Sequence, residues 1–218
     1  MNKVAVILGA GPGIGYGVAE RFGSEGFKIV LVGRDKEKLT KLTDQLNERG
    51  INTHIHCGNV GNKASLKKVL EEIIGHDGIP EMILYNAFKF DNKSLLNEEW
   101  DSIKSSMDVN VGGAFNLINI MYPLMDGENR GKLFFTGGGF SLDANPDFIA
   151  LSMAKAALRN LVQAAYKTSE KSRVHIGSVI VDGFVNKNDS KHNPAAIAEQ
   201  FWKLYEEEPD GYSSEIIY

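Results

Sequence analysis

The sequence contains a single cysteine, no long apolar run and no excess of positive charge. Cys57 alone cannot form an internal disulfide, so the stability of the fold must come from a hydrophobic core. A single cysteine is also compatible with a protein of a reducing compartment. The apolar run from Val4 to Leu8 stops at Gly9, too short for a signal peptide or a membrane helix. Lys and Arg number 24 against 28 Asp and Glu, which disfavours nucleic-acid and membrane partners. We therefore expect a cytoplasmic protein.

The composition is that of a folded protein: 218 residues, 43% of them hydrophobic, predict one globular domain over residues 1–218. Short β-rich apolar runs alternate with stretches of helical period, which is typical of βαβ units and a parallel sheet. Most of these runs are apolar throughout, as expected when helices cover both faces. The predicted strands are Lys3–Leu8, Lys28–Val32, Asn52–His56, Met82–Tyr85, Lys132–Thr136, Val174–Val181 and Glu215–Tyr218.

Helices are predicted between these strands from apolar stripes and from capping residues. One stripe consists of Leu66, Val69, Leu70, Ile73 and Ile74, and a thinner one of Leu39, Leu42 and Leu46. Asn97, followed by two glutamates, is expected to cap a long helix that runs toward Met125. Asn193 followed by Pro194 predicts the start of the last helix.

The strongest local signal is the glycine-rich turn after the first strand. It reads Gly9-Ala10-Gly11-Pro12-Gly13-Ile14-Gly15 and precedes a predicted helix. Glycine at such a turn permits a sharp reversal and lets backbone N–H groups approach a diphosphate at the positive end of a helix. The G-x-G-x-x-G pattern fails, because position 14 is isoleucine, whereas Gly9-x-x-x-Gly13-x-Gly15 fits. The alternative is a tight β–α turn without a ligand.

With that spacing, the chain resembles the short-chain dehydrogenase/reductase family along nearly its whole length. Four further places carry the resemblance. Asn86-Ala87 is similar to the family's Asn-Ala-Gly turn, and Asp182-Gly183 stands where the family has Pro-Gly. Asn110 is similar to the active-site asparagine, and Lys155 in Ala154-Lys155-Ala156-Ala157 to the active-site lysine.

The resemblance implies a doubly wound α/β fold with a seven-stranded parallel sheet, the Rossmann fold, and a nicotinamide cofactor across the carboxyl ends of the strands. It implies catalytic roles for Asn110 and Lys155 and a small-molecule substrate. The cofactor-binding residues that it implies are Gly9, Gly11, Gly13, Ile14, Gly15, Asn59, Asn86, Ala87, Lys155 and Gly183. The family commonly forms dimers and tetramers through helices like the alanine-rich segment 154–165, so a homodimer or homotetramer is expected.

The end of the second strand bears on which nicotinamide cofactor binds. An acidic residue there would accept hydrogen bonds from a ribose 2′-hydroxyl, whereas an arginine offers a charged fork to a 2′-phosphate. Gly33 occupies the tip and Arg34 follows, which favours NADP(H) over NAD(H). In the alternative, Arg34 is an ordinary surface residue and Asp35 starts the next helix.

Two residues of the family's active site are replaced here. A tyrosine normally lies four residues before the lysine, where its phenol exchanges a proton with the substrate, but this position is Leu151. The polarising serine, about thirteen residues earlier, falls on Gly138, unless Thr136 or Ser141 substitutes. Asn59 and Phe88 are further departures, since the family often has aspartate and glycine at these places.

Several residues could replace the missing proton donor, and none stands out. The candidates are Tyr85, Ser141, Asp143, Ser152 and Asp182. Tyr85 is expected in the core and Ser152 in local packing, while loop aspartates mostly form turns. His54, His56 and Cys57 are the only metal-like cluster, but further ligands are missing at a usual spacing, so we expect no metal. Trp202 and Tyr205 are expected to pack rather than to line a pocket.

Two functions therefore remain open from the sequence. The first is an atypical NADP(H)-dependent oxidoreductase that acts on a small carbonyl compound or alcohol, favoured by the glycine turn, Arg34 and Lys155. The second is a non-catalytic, NADP(H)-binding regulatory protein, favoured by Leu151 and Gly138. The two hypotheses share a fold and differ only in turnover.

Overall fold

The structure is a computed structural model that describes residues 3–218. Seven parallel strands form one sheet in the order β3-β2-β1-β4-β5-β6-β7. The strands are β1 Val4–Leu8, β2 Lys28–Gly33, β3 Thr53–Cys57, β4 Met82–Tyr85, β5 Gly131–Gly138, β6 Val174–Val181 and β7 Glu215–Ile217. The predicted doubly wound, seven-stranded fold is confirmed, with strand ends that differ by one or two residues.

Helices lie on both faces of the sheet, which explains why the strands carry few polar residues. They are α1 Ile14–Ser24, α2 Lys36–Asn47, α3 Lys63–Asp77, α4 Trp100–Met107, α5 Gly113–Gly127, α6 Ile149–Ser169 and α7 Pro194–Glu206. One core packs α3, α5 and α6 against the sheet, and the other packs α1, α2 and α7. Trp202 and Tyr205 join Phe22 and Phe27 in an aromatic cluster, so the expectation that they pack is confirmed.

The long helix predicted from Asn97 to Met125 is wrong in two respects. Asn97 does not cap it, because its side-chain amide donates to the hydroxyl of Ser94 and the helix begins after Glu99. A π-helical turn, Asp108–Gly112, interrupts it and separates α4 from α5. Single π turns widen a helix locally and are frequent at functional sites. The cap predicted at Asn193 is confirmed, since its Oδ1 accepts from the amide of Ala196.

The strand order reverses between β1 and β4, because chain connections leave these neighbouring strands toward opposite edges of the sheet. A crevice opens beyond the carboxyl ends of the strands at such a point, and ligands of open α/β sheets bind there. The glycine turn follows β1, Asn86 follows β4, and the turn at Gly138 ends β5. The topology therefore brings the predicted site residues to one edge of the sheet.

Candidate functional site

One side of the glycine turn packs closely against neighbouring backbone at Gly9. Gly9 has φ +84°, and a Cβ on it would overlap the backbone of Ala87. The amides of Gly9 and Ala10 both donate to the carbonyl of Val32, at 2.9 and 3.0 Å. These contacts fix the turn between β2 and the segment that follows β4.

The opposite side of the same turn is open. A Cβ on Gly11 or Gly13 would meet nothing within 4 Å. Gly13 precedes α1 and no side chain caps the first amides of that helix. Open backbone at the positive end of an eleven-residue helix suits a diphosphate, so the residues present fit a dinucleotide.

A chain of hydrogen bonds connects this turn to Lys155. The side-chain amide of Asn86 donates to the carbonyl of Gly9 at 2.9 Å. The hydroxyl of Thr136 donates to Oδ1 of Asn86 at 2.9 Å, and Nζ of Lys155 donates to the carbonyl of Thr136 at 2.8 Å. The four residues belong to segments far apart in sequence. Because the hydroxyl of Thr136 already donates its proton to Asn86, Thr136 does not substitute for the missing serine in this arrangement.

Lys155 lies on α6 with its stem against the bare backbone of Gly138. Its carbon atoms Cε, Cδ and Cγ are 3.5–3.7 Å from the position that a Cβ on Gly138 would take. Burial alone lowers the pKa of Lys155 to about 8, and no neighbouring charge contributes. Within residues 3–218 no carboxylate lies within ion-pair distance of its Nζ. The ammonium therefore keeps N–H groups for a ligand.

Asn110 lies in the π turn. Its side chain is fully buried, and its amide donates to the carbonyl and the hydroxyl of Ser106 at 2.9 and 3.1 Å. A longer bond of 3.4 Å reaches the carbonyl of Lys89, in the loop after β4. Its Oδ1 is buried without a partner among the described residues. Asn110 thus connects the π turn and α4 to that loop.

Three other predicted cofactor contacts lie along the same edge. Arg34 is exposed directly after β2, while Asp35 caps α2 by accepting from the amide of Lys38 at 3.1 Å. Asn59 makes local hydrogen bonds. Its backbone amide donates to the hydroxyl of Ser65, and its side-chain Oδ1 accepts from the backbone amide of Gly61. A side chain on Gly183 would overlap the ring of His192, which accounts for a glycine there.

The positions of the missing tyrosine and serine carry no proton donor. Leu151 is buried, and Gly138 ends β5. Tyr85 donates to the carbonyl of Val109 at 2.6 Å, and burial raises the pKa of its phenol, so its assignment to the core is confirmed. Ser152 bonds to the backbone of Asn145, which confirms local packing.

The remaining candidate donors do not converge on Lys155. Asp143 and Asp182 are exposed, and the hydroxyl of Ser141 is buried without a partner among the described residues. Of the three residues that resemble a metal cluster in sequence, His56 contacts Glu72 at 3.3 Å and His54 faces the ring of His76. In the part of the chain that the structure describes, no three potential metal ligands come together, and no helix could span a membrane.

A separate groove of about 830 Å³ lies on the outer side of the glycine turn, between α1, α2 and the start of α7. Gly11 and Pro12 form part of its wall, together with Lys38 and Lys41 from α2. Lys155 and Asn110 do not line it. The groove adjoins the outer flank of the turn and is distinct from the crevice that contains Lys155.

Comparison with known proteins agrees with this arrangement. The family model for short chain dehydrogenase matches residues 3–194. The chain belongs to the short-chain dehydrogenase family. An uncharacterized oxidoreductase of Staphylococcus aureus strain MW2 is 27% identical over 206 residues, covering 91% of this chain and 88% of the relative. One from Staphylococcus epidermidis strain RP62A is 24% identical over 181 residues, covering 82% and 76%.

Solved structures of the short-chain dehydrogenase fold superpose on the entire chain. A short-chain dehydrogenase from Rhodopseudomonas palustris has a TM-score of 0.89 at 24% identity and covers 100% of this chain and 98% of its own. A metagenomic short-chain oxidoreductase in complex with NADP has a TM-score of 0.88 at 21% identity, with 99% and 96% covered. At these identities the structures establish the fold alone.

Proposed function

We propose that this short-chain dehydrogenase is an NADP(H)-dependent oxidoreductase that interconverts a small carbonyl compound and its alcohol. The observation that carries the proposal is the hydrogen-bonded chain from Gly9 through Asn86 and Thr136 to Lys155. It couples a turn suited to a diphosphate with a cation suited to a reacting oxygen. The NADP in the metagenomic relative is consistent with this choice of cofactor.

We assign the cofactor contacts by the part of the dinucleotide that each would hold. The diphosphate would lie on the turn of Gly9, Gly11, Gly13, Ile14 and Gly15, where the backbone is open at Gly11 and Gly13. Arg34 would hold the 2′-phosphate, since its side chain is exposed at the end of β2. The other contacts are Asn59 near the adenine, Asn86, Ala87 and Gly183 near the nicotinamide, and Lys155 at the ribose hydroxyls.

Lys155 is the residue that we assign to the chemistry, because Leu151 and Gly138 stand where the family has tyrosine and serine. A bound reduced nicotinamide would supply the hydride for the carbonyl carbon. Lys155 would donate a proton from Nζ to the substrate oxygen that gains the electron pair, directly or through one water. The resulting amine regains a proton from solvent. A pKa of about 8 places this acid close to neutral pH, where general-acid catalysis is efficient.

Asn110 is assigned a positioning role. It holds the carbonyl of Lys89 and the last turn of α4, and this fixes the loop that carries Phe88 beside Lys155. The centroid of the Phe88 ring lies 5.9 Å from Nζ of Lys155. An asparagine that orders this loop would affect substrate geometry without touching the substrate.

We further propose that the chain forms a homodimer or homotetramer in the cytoplasm. Exposed Ala156 and Ala164 on α6, and Trp100 with 63% of its surface exposed on α4, would allow close contact with a second copy. Light scattering coupled to size exclusion tests this directly. A mass of 24.0 kDa in solution would correspond to a monomer and contradict the proposal.

The test of the proposed function is consumption of NADPH by the purified protein across a broad panel of aldehydes and ketones. We expect oxidation with at least one carbonyl compound, and we expect Lys155→Ala to abolish it. NADPH that binds tightly but is consumed with no member of the panel would contradict the proposal and favour a non-catalytic, dinucleotide-responsive protein.

A further inference from the structure

Three phenylalanine rings form a continuous row beside the crevice. The rings of Phe90 and Phe148 have centroids 5.3 Å apart, and those of Phe140 and Phe148 are stacked at 5.5 Å. Phe90 follows β4, Phe140 follows β5, and Phe148 precedes α6. We call these three residues the aromatic wall. Three separate segments thus place aromatic surface at the carboxyl edge of the sheet.

The aromatic wall is open to solvent at one end, and two of its residues follow residues that lie beside the catalytic lysine: Phe90 is two residues after Phe88, and Phe140 is two residues after Gly138. Phe90 is 57% exposed and Phe88 is 54% exposed. The centroid of the Phe88 ring, in the loop after β4, lies 5.9 Å from Nζ of Lys155. Grouped aromatic side chains with this much exposed surface mark a binding site more often than a simple solvent face. Two of the three segments that form the wall thus also contact Lys155, through Phe88 and Gly138.

The wall is held in place before any ligand arrives. The amide of Leu95 donates to the carbonyl of Pro146 at 3.2 Å, and the amide of Ile149 donates to the carbonyl of Lys93 at 3.4 Å. These two bonds tie the loop after β4 to the segment that precedes α6. Ser152 further anchors that segment at Asn145. A preformed wall loses little conformational freedom on binding, so stacking energy is available for affinity.

We infer that the substrate is an aromatic aldehyde or ketone whose ring lies on the aromatic wall and whose carbonyl oxygen points toward Nζ of Lys155. The inference rests on the proposed function and specifies its substrate class. Flat rings make offset or edge-to-face contacts with phenylalanine, and these contacts add to the area that any apolar body would bury. A saturated ring of equal size buries similar area but lacks those contacts.

The experiment compares ligands that differ only in aromaticity. Benzyl alcohol and cyclohexylmethanol are titrated into the full chain by NMR, with and without NADP⁺, and benzaldehyde and cyclohexanecarbaldehyde are compared in the NADPH assay. We expect at least a fivefold lower dissociation constant for benzyl alcohol and a similar advantage in kcat/KM for benzaldehyde. Equal dissociation constants for the two alcohols would overturn the inference.

Matched variants locate the effect. Phe148→Leu removes the central ring, and Phe90→Leu removes an exposed ring; each should reduce the aromatic preference to about twofold or less. Phe115→Leu is the control, because Phe115 is 53% exposed on α5 and is not part of the wall. We expect Phe115→Leu to keep the full preference. A preference that survives both wall variants, or is lost equally in the control, would contradict the inference.

Failure of the inference and failure of the proposed function give different results. Preferential binding of benzyl alcohol without any NADPH consumption would support the aromatic wall as a binding site and contradict the proposed oxidoreductase activity. NADPH consumption with equal activity on aromatic and saturated aldehydes would support the oxidoreductase activity and contradict an aromatic substrate.

Discussion

Two lysines lie at opposite ends of the sheet and share the same lowered pKa, yet their surroundings differ. Lys132 is the second residue of β5, at the end of the sheet where the parallel strands begin, which we call the amino edge. Lys155 on α6 lies at the opposite end, where the strands finish, which we call the carboxyl edge. Burial lowers the pKa of each to about 8. Lys132 donates to the carbonyl of Glu207 at 2.9 Å and lies 4.3 Å from the centroid of the Tyr212 ring. Three carboxylates, Glu81, Glu207 and Glu208, act in the opposite direction on its pKa.

Lys155 is also buried but has fewer partners. It donates to one carbonyl and has no carboxylate beside it among the described residues. A lowered lysine pKa alone therefore does not identify a functional site, because the buried cluster around Lys132 produces the same value. The distinguishing property of Lys155 is that its ammonium keeps N–H groups without a partner among the described residues, at the end of the sheet where the strands end.

At the amino edge a buried histidine, His175, packs against the segment that precedes β7. His175 stacks on Tyr212 with centroids 4.1 Å apart, and its Nε2 donates to the carbonyl of Ser213 at 2.8 Å. Since a carbonyl only accepts, the histidine is in the Nε2–H tautomer. Glu207 accepts from the amide of Ser213 at 2.6 Å and completes the closure. This end of the molecule is built for stability, whereas the other retains open groups.

The largest difference between the two edges should appear when each lysine is replaced by arginine. Arginine keeps a positive charge but does not release a proton near neutral pH. We expect Lys155→Arg to lower kcat by about 10³-fold while the affinity for NADPH stays within about threefold. Wild-type kcat should fall above pH 8, as the lysine loses its proton. Lys132→Arg is the control and should keep both kcat and its pH dependence. An equal loss of kcat in the two variants would contradict a special role for Lys155.

Two glycines with positive φ provide the next test. Gly9, φ +84°, faces the backbone of Ala87, whereas Gly26, φ +83°, has open space around it. We expect Gly9→Ala to lower the free energy of unfolding by about 3–5 kcal/mol, from backbone strain together with overlap, and to weaken NADPH binding. Gly26→Ala carries the strain alone, about 1–2 kcal/mol, and should leave NADPH affinity unchanged. Chemical denaturation of both variants gives the comparison, and similar losses would refute the close fit at Gly9.

The amino edge should be the acid-sensitive part of the molecule. Burial lowers the pKa of His175 to about 4, below its ordinary value of 6.5. Between these values the unfolded chain binds a proton that the folded chain does not, so stability is complete above pH 6.5 and decreases as pH falls toward 4. We expect a loss of about 2–3 kcal/mol over this range.

Replacing His175 with glutamine removes the titration and keeps a donor for Ser213, so the variant should lose less stability between pH 6.5 and 4. His56→Gln is a control at a partly exposed histidine beside Glu72 and should follow the wild type. Urea denaturation across this pH range measures the difference. Identical profiles for wild type and His175→Gln would place the acid sensitivity elsewhere.

The smallest expected effect concerns the choice of cofactor at the carboxyl edge. Arg34 is exposed and would contact only the 2′-phosphate, so Arg34→Ala should weaken NADPH binding about tenfold and leave NADH binding nearly unchanged. Lys36→Ala, at a neighbouring exposed lysine, is the control. Equal losses for the two cofactors would show that Arg34 does not select between them.

The sheet and the position of the site follow from local sequence patterns, while the connections within the site do not. Apolar runs and the glycine turn are local signals, and they predicted the strands and the turn to within a few residues. The bonds from Asn86 to Gly9 and from Thr136 to Asn86 join residues 77 and 50 positions apart, and no local pattern encodes them. In the π turn the buried side-chain amide of Asn110 bonds to the carbonyl of Ser106, and a helical period carries no signal for such an interruption, so it predicted an unbroken helix.

Isothermal titration calorimetry of the wild-type chain with NADPH, and separately with NADH, tests most directly whether the carboxyl edge holds a dinucleotide. We expect saturable heat at one NADPH per chain, with NADH bound at least tenfold more weakly. Absence of heat with both nucleotides at saturating concentration would contradict it and leave the hydrogen-bonded chain from Gly9 to Lys155 without a functional role.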